Sequence, residues 1–321
     1  VADGGGSAGN IAVVRDLGEL DGPVLVFGGA YSNLQASQAL LQRAAELRIP
    51  PSRVVHTGDV VAYCAQPRET TELIRSSGIH CLMGNCEESI GVGKTDCGCG
   101  FPEDSACNDY SVNWYAHVTR ELASSPHLRE WMGSLPRRIE FVLNRRRFAV
   151  VHGSPRNISE FIWPSATDEE LSGLFDALPS GIDGVICGHS GIPFARLLGG
   201  GGGGAGMRQR LWLNAGVAGM PANDGTQRAW FAVLTPGADG HISVSIHALP
   251  YKAKDAADAI YATPELVRGY ADALLSGIWP SHDVLPLQEQ MDTGVELHEK
   301  VVEWPRDATP KDGGAAAAGG R

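Results

Sequence analysis

The chain has 321 residues, 43% hydrophobic and 20% charged, enough apolar material for an ordinary core, which excludes the disordered and fibrous classes. A formal net charge of −11 disfavours a protein that tracks a nucleic-acid backbone or an anionic membrane surface. No apolar run approaches the roughly 18 residues of a membrane span, and the Gly-rich start, residues 1–10, lacks the basic flank and hydrophobic run of a signal peptide, so the expected location is cytoplasmic.

Taken in chain order, residues 1–21 read as a flexible segment and residues 24–27 as a buried strand. Ser32-Asn33-Leu34-Gln35 has the form of a capping box before a helix that reaches about Leu47. Val54 and Val55 open a second strand ending at Gly58-Asp59, residues 69–76 read as a helix, and residues 79–83 as a third strand ending at Gly84-Asn85. This is the βαβαβ grammar of a parallel sheet. An irregular Cys-rich stretch, 88–108, precedes a helix over about 111–132. Strands follow at 138–143, 147–151, 184–187, 210–213, 229–234 and 242–249, with a helix at 168–177. The basic cluster at 145–147 lies between apolar runs and reads as a hairpin turn rather than a phosphate site. The hexaglycine run, 199–204, lacks a following Gly-Lys-Ser/Thr and reads as a hairpin loop. The expected organisation is a domain over 22–250, a helical extension over 251–290 in which 277–281 docks back, and a largely flexible tail over 291–321.

Four apolar runs end in polar residues of one chemical kind. Asp59 and Asn85 follow the second and third strands, while His152 and His189 follow the runs at 148–151 and 185–187. Each stands beside a glycine that lets the backbone turn sharply, and ligands bind beyond the carboxyl ends of strands in open α/β sheets. A carboxylate, an amide oxygen and two imidazoles suit Fe, Mn or Zn.

At these residues the chain resembles the calcineurin-like metallophosphoesterases, in particular the small bacterial phosphodiesterase and diadenosine-tetraphosphatase-like branch. The family carries, in order, Asp-x-His, Gly-Asp, Gly-Asn-His-Asp/Glu, a lone His and Gly-His-x-His. Here the corresponding stretches are Gly29-Ala30-Tyr31, Gly58-Asp59, Gly84-Asn85-Cys86-Glu87, Val151-His152-Gly153 and Gly188-His189-Ser190-Gly191, and Leu213-Asn214-Ala215-Gly216 is similar to the closing Asn-Pro-Gly-Ser. The resemblance implies an α/β fold, the four-layer α/β/β/α metallophosphoesterase sandwich, and metal-dependent hydrolysis of a phosphate ester or anhydride. Its implied partner is a small phosphorylated substrate, with no nucleic acid and no membrane; oligomerisation is left open. Relatives hold two metals. The resemblance supplies one set in full, Asp59, Asn85, His152 and His189, whereas Gly29, Tyr31 and Gly191 replace every private ligand of the other ion, which implies a one-metal or rebuilt site. Cys86 replaces the family's phosphate-side His, as a thiolate ligand or nucleophile. Glu87 is the nearest spare carboxylate, and Tyr31 is either a phenolate ligand or a pocket residue, so Cys86, Glu87 and Tyr31 are the candidate catalytic groups.

Seven cysteines, an odd number without an export signal, argue against a disulfide framework. Cys64, Cys86, Cys97, Cys99 and Cys107 fall in loops expected on the ligand side of the sheet, where four of them could hold zinc or an iron–sulfur cluster, take part in redox chemistry, or simply pack. Cys81 and Cys187 lie inside apolar strands and read as core. A non-hydrolytic metal or iron–sulfur redox or sensor protein, and a pseudoenzyme that binds a phosphorylated ligand, are the alternatives to a hydrolase.

Overall fold

The computed structural model describes residues 13–199 and 208–305. Its elements run β1 (Val14–Leu20), β2 (Val24–Phe27), α1 (Leu34–Glu46), β3 (Val54–His56), α2 (Pro67–Ser76), β4 (His80–Cys81), α3 (Asn85–Val92), α4 (Ala106–Leu122) and α5 (Pro126–Gly133). The hairpin β5 (Arg138–Leu143) and β6 (Arg146–Val150) follows, then α6 (Asp168–Leu174), β7 (Gly184–Cys187), β8 (Phe194–Leu198), β9 (Arg210–Asn214), β10 (Ala229–Pro236) and β11 (Ile242–Leu249). Three helices, α7 (Ala253–Tyr261), α8 (Arg268–Ser276) and α9 (Leu287–Met291), lead to β12 (Lys300–Trp304).

Two six-stranded sheets, ordered β1-β5-β6-β7-β9-β8 and β12-β11-β10-β2-β3-β4, form the two inner layers of the α/β sandwich. Period-two alternation builds the layers. On β2, Val24 and Val26 face the other sheet together with Phe141, Phe148 and Trp230, whereas Leu25 and Phe27 face outward to helical residues such as Leu40, Ile74 and Trp114. On β7, Ile186 joins the inter-sheet core, while Val185 and Cys187 pack on Leu171 and Leu174 of α6. Both faces of β2 and β7 are therefore buried, and these strands are continuous apolar runs.

Several expectations need correction. Residues 14–20, read as flexible, form β1 in parallel register with β5, and residues 300–304 of the tail form β12 against β11. Both are half-polar edge strands whose alternation is weak, so their pairing is set by the neighbouring strand. The N-cap of α1 is Asn33, whose Oδ1 accepts from the Ala36 amide, and not Ser32. The single helix expected over 111–132 breaks at Pro126, which fits only the first turn of α5. The irregular stretch shrinks to 93–105, because α3 and α4 extend into it. Cys81 and Cys187 are buried as read. The turn at 144–145 does join a hairpin, with Asn144 and Arg145 at φ 50° and 69°. The hexaglycine loop, apart from Gly199, and residues 1–12 lie outside the described residues.

Candidate metal centre

Parallel strands from both sheets deliver the four polar residues to one point. Asp59 follows β3 and Asn85 opens α3 just after β4, while His152 and His189 follow β6 and β7. Asp59 and His189 adopt left-handed backbone, φ 63° and 62°, a conformation that costs energy for a side-chain-bearing residue and tends to persist at functional sites. All four are buried.

His152 is the hub. Its Nδ1–H donates to the Thr57 carbonyl at 2.6 Å, which leaves the Nε2 lone pair pointing the other way. Around Nε2 stand Asn85 Oδ1 at 3.0 Å, His189 Nδ1 at 3.1 Å and Asp59 Oδ2 at 3.2 Å. The Asn85 orientation is fixed because its Nδ2 donates to the Cys97 carbonyl at 3.0 Å. The other Asp59 oxygen accepts from the Cys86 amide at 3.2 Å. Lone pairs of two oxygens and two nitrogens thus converge, and only a cation or a proton at their centre relieves their repulsion.

The ionisation equilibria reflect that convergence. Burial opposes ionisation of Asp59, but the His152 charge and hydrogen bond, with His189, hold its pKa down to about 2. Burial likewise opposes protonation of His152, yet Asp59 and the Thr57 carbonyl outweigh it and raise its pKa. Burial, then the His152 charge, push His189 down to about 3, and burial pushes His56 down to about 3. His189 Nε2 has no hydrogen-bond partner of normal geometry, although the Ser159 and Cys99 carbonyls lie close enough to favour protonation of the ring. Among the described residues, Asp59, His152 and His189 are the group of three or more metal-ligating side chains whose atoms lie within 4.8 Å of one another.

The family model for the calcineurin-like phosphoesterase superfamily domain matches residues 24–238. The chain belongs to this superfamily. An uncharacterized protein of Methanocaldococcus jannaschii is 28% identical over 177 residues, 53% of this chain, and the match spans 63% of that relative's length. A metallophosphoesterase from Sphaerobacter thermophilus superposes with a TM-score of 0.59 at 23% identity, covering 80% of this chain and 99% of the other. A hypothetical protein from Pyrococcus horikoshii gives 0.63 at 18% identity, with the same coverage. Both share the fold.

Calcineurin-like phosphoesterases use divalent metal ions, and the Asp59, Asn85, His152 and His189 donors fit one. The positions beside them, Gly29, Tyr31 and Gly191, offer neither carboxylate nor imidazole. The Tyr31 ring lies directly over Gly29, where a Cβ would overlap it, and Gly191 offers no side chain. Tyr31 is buried, and burial followed by the Asp59 charge raises its pKa well above the phenol's ordinary value.

Glu87 is not placed to touch a substrate. Fully buried, it accepts from the Asp59 and Gly84 amides through Oε2 and the Val60 amide through Oε1, each at 2.8 Å. It ties the turn bearing Asp59 to the turn bearing Asn85, a positioning role that replaces the expected catalytic one. Burial and the Asp59 charge push its pKa up to about 7, against three amide donors that favour the carboxylate. Cys86 is also buried, and burial with the Asp59 and Glu87 charges raises its pKa well above the ordinary thiol value.

The four-cysteine centre is not assembled. Cys97 and Cys99 pair with each other, and Cys86 approaches them only through Asn85 Nδ2, which lies 3.5 Å from Cys86 Sγ and 3.3 Å from Cys99 Sγ. Cys64 turns into the core, 3.7 Å from the Gly219 carbonyl, and Cys107 stands on α4 among cavity-lining residues. Neither zinc nor an iron–sulfur cluster finds four converging thiols among Cys64, Cys86, Cys97, Cys99 and Cys107.

Sequence reading missed some supporting groups. Thr57 acts through its carbonyl, which no residue pattern reveals. Asn214 at the end of β9 donates to the Gly188 carbonyl at 3.1 Å and to Ser190 Oγ at 3.0 Å, bracing the His189 turn. Phe161 stacks on the His189 ring at 4.3 Å between centroids and on Trp163 at 5.4 Å. Two large aromatics in a loop with neither strand nor helix periodicity were the available signal.

Proposed function

We propose that this protein hydrolyses a phosphate ester or anhydride with a single metal ion held by Asp59, Asn85, His152 and His189. The observation that carries the reading is the convergence of Asn85 Oδ1, His189 Nδ1 and Asp59 Oδ2 within 3.0–3.2 Å of the His152 lone pair. Superfamily membership points the same way, toward metal-dependent phosphoester hydrolysis. When bound, such an ion supplies Lewis acidity at a phosphoryl oxygen.

The chain's own residues prepare the site. The Thr57 carbonyl selects the His152 tautomer that keeps Nε2 free. Glu87 fixes the relative position of the Asp59 and Asn85 turns, and Asn214 does so for the His189 turn. Burial of all four donors lowers the local dielectric and strengthens each electrostatic contact. The test is hydrolysis of bis(4-nitrophenyl) phosphate and 4-nitrophenyl phosphate by protein stripped with chelator and reloaded with Mn²⁺, Fe²⁺ or Zn²⁺. Metal-dependent turnover that vanishes in Asp59→Ala supports the reading; turnover that survives chelation and this substitution overturns it.

A further inference from the structure

The space beside His189, where Tyr31 and Gly191 stand, is unfilled and mainly apolar, with Ser190 and Ser281 at its edge. It is a cavity of about 80 Å³. Aromatic rings form much of its wall. Tyr31 closes one side and meets Tyr63 edge-on at 4.8 Å. Phe161 lies on another side, stacked on His189 and nearly parallel to Trp163 and Phe101, with interplanar angles of 7° and 21°. The far wall is Trp279, from the segment after α8. Its indole N–H donates to the Pro221 carbonyl at 2.7 Å, and its backbone N–H donates to Asn223 Oδ1 at 2.9 Å.

Two glycines make this arrangement. At Gly29 any Cβ would overlap the Tyr31 ring. At Gly191, with φ at 76°, a Cβ would lie 3.4 Å from the Trp279 ring, and an imidazole built there would enter the cavity. Among the described residues no lysine, arginine, aspartate or glutamate lines the space. An anionic group would lose its hydration there without a compensating charge, whereas a flat neutral ring would exchange water for aromatic faces and edges.

We propose that the cavity is a specificity pocket for a planar, uncharged aromatic group of the substrate, an aryl ring or a nucleobase, attached to the phosphoryl group held beside His189. The placement of that phosphoryl group rests on the phosphoesterase reading above; the pocket's preference for a ring does not. The C-terminal extension thereby acts as part of the substrate site through Trp279.

The experiment measures binding and needs no turnover. Phenylphosphonate and methylphosphonate are titrated into Zn²⁺-loaded protein by calorimetry, with the indole N–H resonances followed by NMR. The wild type should bind the phenyl compound at least tenfold more tightly and shift the Trp279 signal, and in Trp279→Ala the preference should fall below threefold while methylphosphonate affinity stays within twofold. Equal affinities in the wild type, or an undiminished preference in both Trp279→Ala and Phe161→Ala, would overturn the pocket. Phenol alone separates the two readings. If neither phosphonate binds yet phenol saturably shifts Trp279, the phosphoesterase reading fails and the ring pocket stands; if phenol leaves Trp279 unmoved as well, both fail. Adenosine 5′-monophosphate against ribose 5-phosphate then distinguishes a nucleobase from a simple aryl group.

Discussion

Two neighbouring halves of one cleft, built on the same strand ends, have opposite chemistry. On one side Asp59, Asn85, His152 and His189 crowd lone pairs to within 3.0–3.2 Å of His152 Nε2. On the other, Tyr31, Phe161 and Trp279 line an uncharged cavity, and glycines stand where side chains would otherwise intrude. His189 belongs to both. The difference teaches that the fold fixes where side chains gather, whereas a handful of residues decide whether the gathering place attracts a cation or a ring.

Removing the polar half should have the largest effect. Asp59→Ala or His152→Ala deletes a direct donor, so metal affinity should drop more than 100-fold, beyond the 10–100-fold typical of losing a supporting contact. Titration calorimetry with Mn²⁺ measures it, and affinity within tenfold of wild type in both variants would break the assignment. Glu87→Ala should cost about 10–100-fold in the same assay, because three buried amides lose their acceptor and the two ligand-bearing turns come apart.

The aromatic half should respond in stability while leaving the metal in place. Gly29→Ala forces a methyl into the Tyr31 ring, and overpacking of this kind costs about 1–3 kcal/mol. Urea unfolding should register that loss while metal content stays at the wild-type level; loss of the ion would mean that the halves are not separable.

Acidity sharpens the contrast further. His152 has a raised pKa and must shed its proton to ligate, so metal affinity should rise with pH through that pKa, with proton release visible as buffer-dependent binding heat. For the metal-free protein the sign comes from Asp59. Its folded pKa, about 2, lies below the ordinary carboxylate value, so its stabilising contribution is present above about pH 4 and disappears as pH falls toward 2. Thermal unfolding across that range, compared with Asp59→Asn, isolates the contribution. The smallest effect is expected at the thiols. Cys64→Ser and Cys107→Ser should leave metal content unchanged, since neither sulfur belongs to the converging Asp59, His152 and His189 group.

Sequence made the polar half legible because its donors follow apolar strands and sit beside glycines, a local signal that survives without coordinates. The βαβαβ unit β2 to β4 was readable for the same reason. What escaped depends on contacts distant in sequence. Glu87 looks like a spare carboxylate until its three amide partners, two of them nearly 30 residues away, are seen. The cysteines cluster in sequence, yet Cys64 and Cys107 turn away from Cys97 and Cys99 in space. Trp279 enters the cleft from a segment 90 residues beyond His189, and β12 gains its strand conformation through pairing with β11.

The proposed function requires one ion at the polar half and none at the aromatic half. Elemental analysis of protein purified without added metal, then reloaded and passed through a desalting column, tests it directly. Close to one equivalent of Fe, Mn or Zn per chain is expected, lost in His152→Ala and retained in Gly29→Ala. Two equivalents in the wild type, or one equivalent persisting in His152→Ala, would contradict it.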